Sequence, residues 1–262
     1  MKIGLSAAAF YGRMETEEQA AALRNFRLDT CEVFLQCPSE YTPEFGQLVR
    51  LCLGGLPCDS VHPKGTQFES DLFAPGRRQR RDAQRGFIGV LSAGQALGAK
   101  YYVWHGPHSV KSVLSPWQIR DLKERLPELC GIAREYGMEL LWENVSWASM
   151  HDLDCVRYLR ETFPELGYVL DIKQARRMGL EWQDVLAAMG DRLRHVHVLD
   201  WQEDGTLCLP GEGTVDFPAL FSRLKQMDYR GVVLLELYEA LCRDQARLQR
   251  SLDYLARCRD SL

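Results

Sequence analysis

Tyr101-Tyr102-Val103-Trp104-His105-Gly106 is a short, almost wholly apolar run that stops on an imidazole and a glycine. Apolar residues in unbroken succession suit a strand buried on both faces of a parallel sheet, whereas a half-exposed antiparallel strand alternates. The pattern recurs along the chain. Strands are expected at residues 2–6, 31–35, 57–62, 100–106, 138–144, 167–171, 194–199 and 232–236, with Val232-Val233-Leu234-Leu235 as apolar as the first example. Each is separated from the next by enough chain for one helix.

The intervening segments carry helix punctuation. Thr16-Glu17-Glu18 offers a cap and an acidic first turn. Ser115-Pro116 opens a long segment to Tyr136, and Gly137 stops it. Asp216-Phe217-Pro218 opens another helix, and the last is expected over about 238–256. Strand–helix alternation throughout means a parallel sheet. Eight units in 262 residues predict an α/β fold of the (β/α)8 TIM-barrel type, a single domain over 1–262, because such barrels run to about 250 residues. The competing architecture is a doubly wound open sheet. It calls for a glycine-rich phosphate loop after the first strand, where this chain has Ser6-Ala7-Ala8-Ala9-Phe10.

Composition narrows the function. Apolar residues make up 46% and charged residues 26%, an ordinary globular balance, and the net charge of −4 provides no field to attract nucleic acid or anionic lipid. The basic run Arg77-Arg78-Gln79-Arg80-Arg81 reads as the solvated face of a helix. No stretch is long and apolar enough for a signal peptide or a membrane span. The nine cysteines are irregularly spaced without a CxxC pair, and Cys31, Cys52 and Cys155 fall in apolar segments, as small buried hydrophobes do. A reducing cytoplasm is the expected compartment, without nucleic-acid or membrane partners; a homo-oligomer is left open.

Polar residues gather where the strands end. These ends read Ser60-Val61-His62, Trp104-His105-Gly106, Trp142-Glu143-Asn144, Val169-Leu170-Asp171, His195-Val196-His197 and Leu235-Glu236. A lone histidine or glutamate at a strand end is usually a satisfied structural group. In a parallel barrel, however, all such ends share one rim. Burying several carboxylates together costs several kcal/mol unless something neutralises them. A divalent cation is the natural neutraliser. Glu143, Asp171, His197 and Glu236 form an oxygen-rich set, which favours one Mn²⁺ or Mg²⁺, with Co²⁺ or Zn²⁺ as alternatives.

The order His62, His105, Glu143-Asn144, Asp171, His197-Val198-Leu199-Asp200, the run from Gly211 to Phe217, and Glu236-Leu237-Tyr238 resembles the xylose isomerase-like TIM-barrel superfamily over nearly the whole chain. That superfamily takes in sugar phosphate isomerases and epimerases, inosose dehydratase and AP endonuclease family 2. The resemblance implies one metal held by Glu143, Asp171, His197 and Glu236, with Glu143 and Glu236 also transferring protons. It implies a small carbohydrate substrate, a keto-sugar or polyol, isomerised or epimerised through an enediolate. Two departures stand out. The family's Asp-x-x-His is Asp171-Ile172-Lys173-Gln174 here, and Thr206-Leu207-Cys208-Leu209-Pro210 lacks the Asp-x-His that completes the trinuclear zinc site of the nucleases. A metal-dependent lyase or dehydratase is therefore the alternative activity, with an abasic-site nuclease behind it.

Substrate contacts are expected from His62 and His105, from Gln174, which can hydrogen-bond a hydroxyl, and from Lys173, which either binds an anionic group or pairs with a nearby acid. Trp104, Trp142, Trp147 and Trp201 lie near the rim, as packing residues singly or together as apolar walls for a sugar ring. Glu32 resembles an acidic position common in the superfamily and is expected to support the site rather than react. His108 and His151 read as ordinary loop or helix-start residues.

Overall fold

The computed structural model describes residues 1–64, 68–107, 116–237, 241 and 243–261. Its strands are β1 (Lys2–Ser6), β2 (Thr30–Leu35), β3 (Cys58–Pro63), β4 (Tyr101–Trp104), β5 (Glu139–Glu143), β6 (Gly167–Asp171), β7 (Leu193–Val198), the two-residue pair β8 (Asp200–Trp201) and β9 (Leu207–Cys208), and β10 (Val232–Leu235). Eight of them close a barrel in the order β1-β10-β7-β6-β5-β4-β3-β2, and every pairing in it is parallel. The antiparallel β8–β9 ladder stands apart from it. The helices are α1 (Thr16–Leu23), α2 (Pro43–Leu53), α3 (Arg77–Leu97), α4 (Pro116–Glu135), α5 (Leu153–Thr162), α6 (Ile172–Arg177), α7 (Trp182–Met189), α8 (Phe217–Gln226) and α9 (Gln245–Asp260). The chain is thus a single-domain TIM barrel. Every residue of β6 is buried, as continuous apolar runs require.

Local departures from the sequence expectation have simple causes. Glu15, not Thr16, caps α1, in a reciprocal capping box with Glu18. Strand β4 ends at Trp104, so His105 lies just past it. There Gly106 takes φ of +77°, and a Cβ would strike the Trp142 ring. The last helix begins at Gln245 under an Asp244 cap; Tyr238, like Ser115 and His108, lies outside the described residues.

The two-residue period of the strands divides the core. Val103, Leu141 and Val169 pack together as a small separate cluster inside the barrel, against Tyr101. Their alternates Tyr102, Trp104, Leu140, Trp142, Tyr168 and Leu170 belong to the large cluster shared with the helices. One step of two along each strand from the inner cluster reaches His105, Glu143 and Asp171. The strand pattern therefore sends these three groups to one end of the barrel interior.

Two backbone clamps hold that end. Asn144 donates through Nδ2 to the Asp171 carbonyl at 2.9 Å and accepts the Asp171 N–H at 2.8 Å, which ties β5 to β6. Asp200, wholly buried, accepts four backbone N–H groups: Trp201 at 2.8 Å and Gly211, Gly213 and Val215 at 3.0 Å each. A Cβ at Gly213 would strike the Trp201 carbonyl and this carboxylate, so the loop closes on Asp200 only with glycine there. Asp200→Ala leaves several buried donors without a partner and should cost about 2–4 kcal/mol in urea unfolding. A loss below about 0.5 kcal/mol, the scale of a neutral surface change, would show that the cradle is not structural.

Candidate active site

The strand ends deliver their polar groups to a cavity of about 200 Å³ lined by Tyr11, Phe34, Lys64, His62, His105, Glu143, Trp147, Gln174 and Glu236, with Pro63 and Val145. Larger concavities of about 970 and 610 Å³ lie among residues that begin strands, including Lys2, Cys58, Tyr101 and Glu139, at the opposite end. The small cavity is the chemically furnished one, and it opens where barrel enzymes carry their sites.

Glu32 lies beneath it with no solvent exposure. It accepts Ser6 Oγ at 3.0 Å and Ser60 Oγ at 2.8 Å, and its two oxygens face His62 Nδ1 and His197 Nε2, each at 3.5 Å. Burial alone would raise its pKa, but the charges and hydrogen bonds of His197 and His62 hold it well below the usual carboxylate range. An ionised Glu32 keeps a proton on His197 Nε2, and with Glu236 and Glu143 it holds the pKa of the ring well above the usual imidazole value. Nδ1 is left facing Glu143 Oε1 at 3.1 Å and Glu236 Oε2 at 3.8 Å.

Glu69, also without exposure, does the same for His105: it accepts the backbone N–H at 3.2 Å and faces Nδ1 at 3.3 Å. His105 Nε2 then meets His62 Nε2 at 3.0 Å and Glu143 Oε2 at 3.3 Å. Burial disfavours the imidazolium of His105, yet the hydrogen bonds to Glu143 and Glu69 outweigh it and raise its pKa to about 10. Glu143, between His105 and His197, is held low against the burial that would raise it. His195, two residues before His197 and equally buried, is pushed down to about 4 by burial and stays neutral.

Asp171 caps α6, its Oδ1 accepting the Gln174 N–H at 2.7 Å, while its buried Oδ2 has no hydrogen-bond partner. Burial lifts its pKa to about 7 despite Lys173, whose Nζ lies 3.4 Å from Oδ2 and donates to Glu236 Oε2 at 3.2 Å. Lys173 therefore pairs with the acids; its neighbour Gln174 lines the cavity and accepts the Ser146 hydroxyl at 3.2 Å through Oε1, which turns the amide nitrogen into its free donor.

Ligand atoms of Glu143, Asp171, His197 and Glu236 lie within 4.8 Å of one another, all buried. The set fits a divalent ion on its own chemistry: three carboxylates, an imidazole with Nδ1 turned inward, an Asp171 oxygen without a hydrogen bond, and an ammonium already drawn to two of the acids. His62, His105 and Glu143 form an overlapping group of the same spread.

The tryptophans differ from expectation. Trp104 and Trp142 are wholly buried and pack on each other at 5.0 Å, with Phe73 on Trp104 and the Trp142 Nε1–H donated to the His105 carbonyl. They stand on the helix side of their strands and line no part of the cavity. Trp201, on β8, stacks under the Arg176 guanidinium at 4.8 Å and does not line it either. Among the rim tryptophans, Trp147 does, 4.8 Å from the His105 ring, together with Phe34 and Tyr11. Phe34 is two residues past Glu32 on the same face of β2, and Lys64 two past His62. His151 bonds the Ala148 carbonyl through Nδ1, outside the cavity.

The chain belongs to the xylose isomerase-like TIM barrel family, whose model matches residues 39–258. Among characterised proteins it is similar to an inosose dehydratase of Geobacillus kaustophilus, 27% identical over 47% of this chain and 46% of that protein. It is also similar to an inosose isomerase of Bacillus licheniformis, 25% identical over 68% of each. The chain thus spans about half to two thirds of the length of the curated relatives it matches. In fold it is similar to 3-keto-D-glucoside 4-epimerase, YcjR, from E. coli, with TM-score 0.76, 20% identity and coverage of 98% and 100% of the two chains. The IOLI protein with a bound zinc atom gives TM-score 0.74, 17% identity and coverage of 98% and 96%. No helix among the described residues is long and apolar enough to cross a membrane.

Two measurements check these electrostatics. Lys173→Met removes the cation nearest the acids, so metal-free protein should melt several degrees lower while added Mn²⁺ binds several-fold tighter. Opposite signs are required; a parallel loss of both would mean simple misfolding. Protons compete with metal for Asp171 and for His197, whose pKa stands well above the usual imidazole value because of Glu32, Glu236 and Glu143. Mn²⁺ affinity should therefore fall at least about tenfold per pH unit below about 7. A flat profile from pH 5 to 8 would contradict these assignments.

Proposed function

We propose that this protein is a divalent-metal-dependent isomerase or epimerase of a small keto-sugar or polyol-derived substrate. The observation that carries the reading is that Glu143 and Glu236 both line the cavity and both belong to the Glu143–Asp171–His197–Glu236 group. A base and an acid are thereby available beside a single Lewis-acid position.

Glu143, Asp171, His197 and Glu236 would hold the ion, with Mn²⁺ the first choice for an oxygen-rich set. When bound, the ion supplies Lewis acidity that makes the C–H beside a substrate carbonyl easier to ionise. Glu143 is ionised and is the proton acceptor of the pair. It removes the proton, and the electron pair of the C–H bond passes toward the carbonyl oxygen. Glu236, on the other side, would pass to the carbon a proton taken up from solvent, while Glu143 gives up its own to solvent. Return to the opposite face of the same carbon gives the epimer; return to the neighbouring carbon gives the isomer. His105, between Glu69 and Glu143, stabilises Glu143 as a carboxylate, and Gln174 donates its amide N–H to a substrate oxygen. Phe34, Tyr11 and Trp147 form the apolar wall of the pocket. His62 completes the lining beside His105.

A dehydratase is the second reading. It is favoured by the likeness to inosose dehydratase and by Gln174, which offers an amide where the family has an imidazole. The same base would then remove the proton while a hydroxyl leaves the adjacent carbon.

Substrate incubated in heavy water distinguishes them. The isomerase reading predicts deuterium at the carbon beside the carbonyl, seen by NMR, in recovered substrate and isomer. Glu143→Gln and Glu236→Gln should each slow this exchange by about 10²–10⁴-fold with a smaller effect on binding. Loss of water with no isomer formed would promote the dehydratase, and undiminished turnover in both variants would remove the two-carboxylate mechanism.

A further inference from the structure

We infer that the substrate carries an anionic group, a carboxylate or a phosphate ester, received at the cavity wall by the Lys64 ammonium. The inference rests on the sugar-enzyme reading above and adds the charge class of the substrate.

Lys64 follows directly on β3 and is anchored there by its backbone N–H to the Leu35 carbonyl at 2.8 Å. Its Nζ donates to the Tyr11 hydroxyl at 2.6 Å and stands 5.1 Å from the centroid of that ring. Tyr11 is itself held edge-on by Phe34 at 5.4 Å, and Phe34 by His62 at 5.7 Å. The ammonium is thus held beside the cavity by an aromatic train that starts from the barrel interior. An ammonium has three donors, and Tyr11 uses one.

Lys64 differs from Lys173, the other lysine near the acids, in having no carboxylate partner among the described residues. Lys2 is paired with Asp59 at 2.6 Å, and Lys173 with Asp171 and Glu236. No carboxylate among the described residues is within 4.0 Å of Lys64 Nζ, although Glu143 and Glu236 line the same cavity. Those two acids are committed to His105, His197 and Lys173. With a divalent ion bound, the three carboxylates of the group are balanced by the ion and Lys173. Lys64 stands outside this set with no carboxylate of its own among the described residues, and its remaining donors are what an anionic group on the substrate would take. Lys173, the residue at which the sequence suggests an anion contact, is occupied.

Calorimetric titration of Mn²⁺-loaded protein with D-fructose, D-fructose 6-phosphate and 5-keto-D-gluconate tests the inference. At least one anionic compound should bind about ten- to a hundredfold tighter than fructose, the worth of a hydrogen bond to a charged group. Preference for the phosphate identifies an ester, and preference for the sugar acid a carboxylate. In Lys64→Met the ratio should collapse toward one, while Lys64→Arg keeps most of it. Equal affinities in the unaltered protein, or a preference that survives in Lys64→Met, would overturn the inference and leave the sugar reading standing. If none of the three bound to protein shown by elemental analysis to hold its ion, both would fall together.

Discussion

Glu32, Glu69, Glu143, Asp171 and Glu236 are buried at one end of the barrel, and their mutual repulsion is the constraint to which the surrounding structure answers. Carboxylates cannot share a low-dielectric site unless hydrogen bonds or positive charge compensate them. Glu32 is compensated by two serines and two imidazoles, Glu69 by His105, and Glu143 by His105 and His197. Asp171 is the least satisfied: its Oδ2 has only the Lys173 ammonium at 3.4 Å, and burial lifts its pKa to about 7. The group is built for more positive charge than the chain supplies.

The fold serves this constraint through backbone geometry. Parallel strands in a closed barrel bring His105, Glu143, Asp171, His197 and Glu236 to a common end, and the period of two keeps them on the inner face. Asn144 locks β5 to β6, so that two of the acids hold a fixed spacing. Asp200 organises the loop after β7 through four backbone donors. In that loop a Cβ at Gly213 would strike this carboxylate, while Gly211 takes φ of +90° with the Tyr254 ring against it.

The barrel was legible because eight apolar runs with polar ends demand little else, and β1 and β6 fall on the expected residues 2–6 and 167–171. The gathering of Glu143, Asp171, His197 and Glu236 followed from topology alone, since all strand ends share a rim. Trp104 and Trp142 were misjudged for a reason the sequence itself contains: each stands one residue before His105 or Glu143, hence on the opposite face of its strand. The same parity would have brought in Phe34 from Glu32 and Lys64 from His62. Glu69 carried no such signal. It lies in a short 3₁₀ turn after β3, and only the three-dimensional path of the chain brings it under His105. The sequence left Lys173 open between an anion contact and a nearby acid, because a residue in the first turn of a helix can face either way, and the structure pairs it with Asp171 and Glu236.

The central claim is that this acidic group is a single-cation site. Anomalous diffraction at the manganese edge from crystals grown with Mn²⁺ tests it most directly. The account predicts one peak, bounded by Glu143, Asp171, His197 and Glu236, with the Lys173 ammonium moved away from Asp171 Oδ2. Crystals that bind Mn²⁺ elsewhere, or show no peak while Lys173 keeps its contacts with Asp171 and Glu236, would mean that the lysine alone neutralises the site and would contradict it.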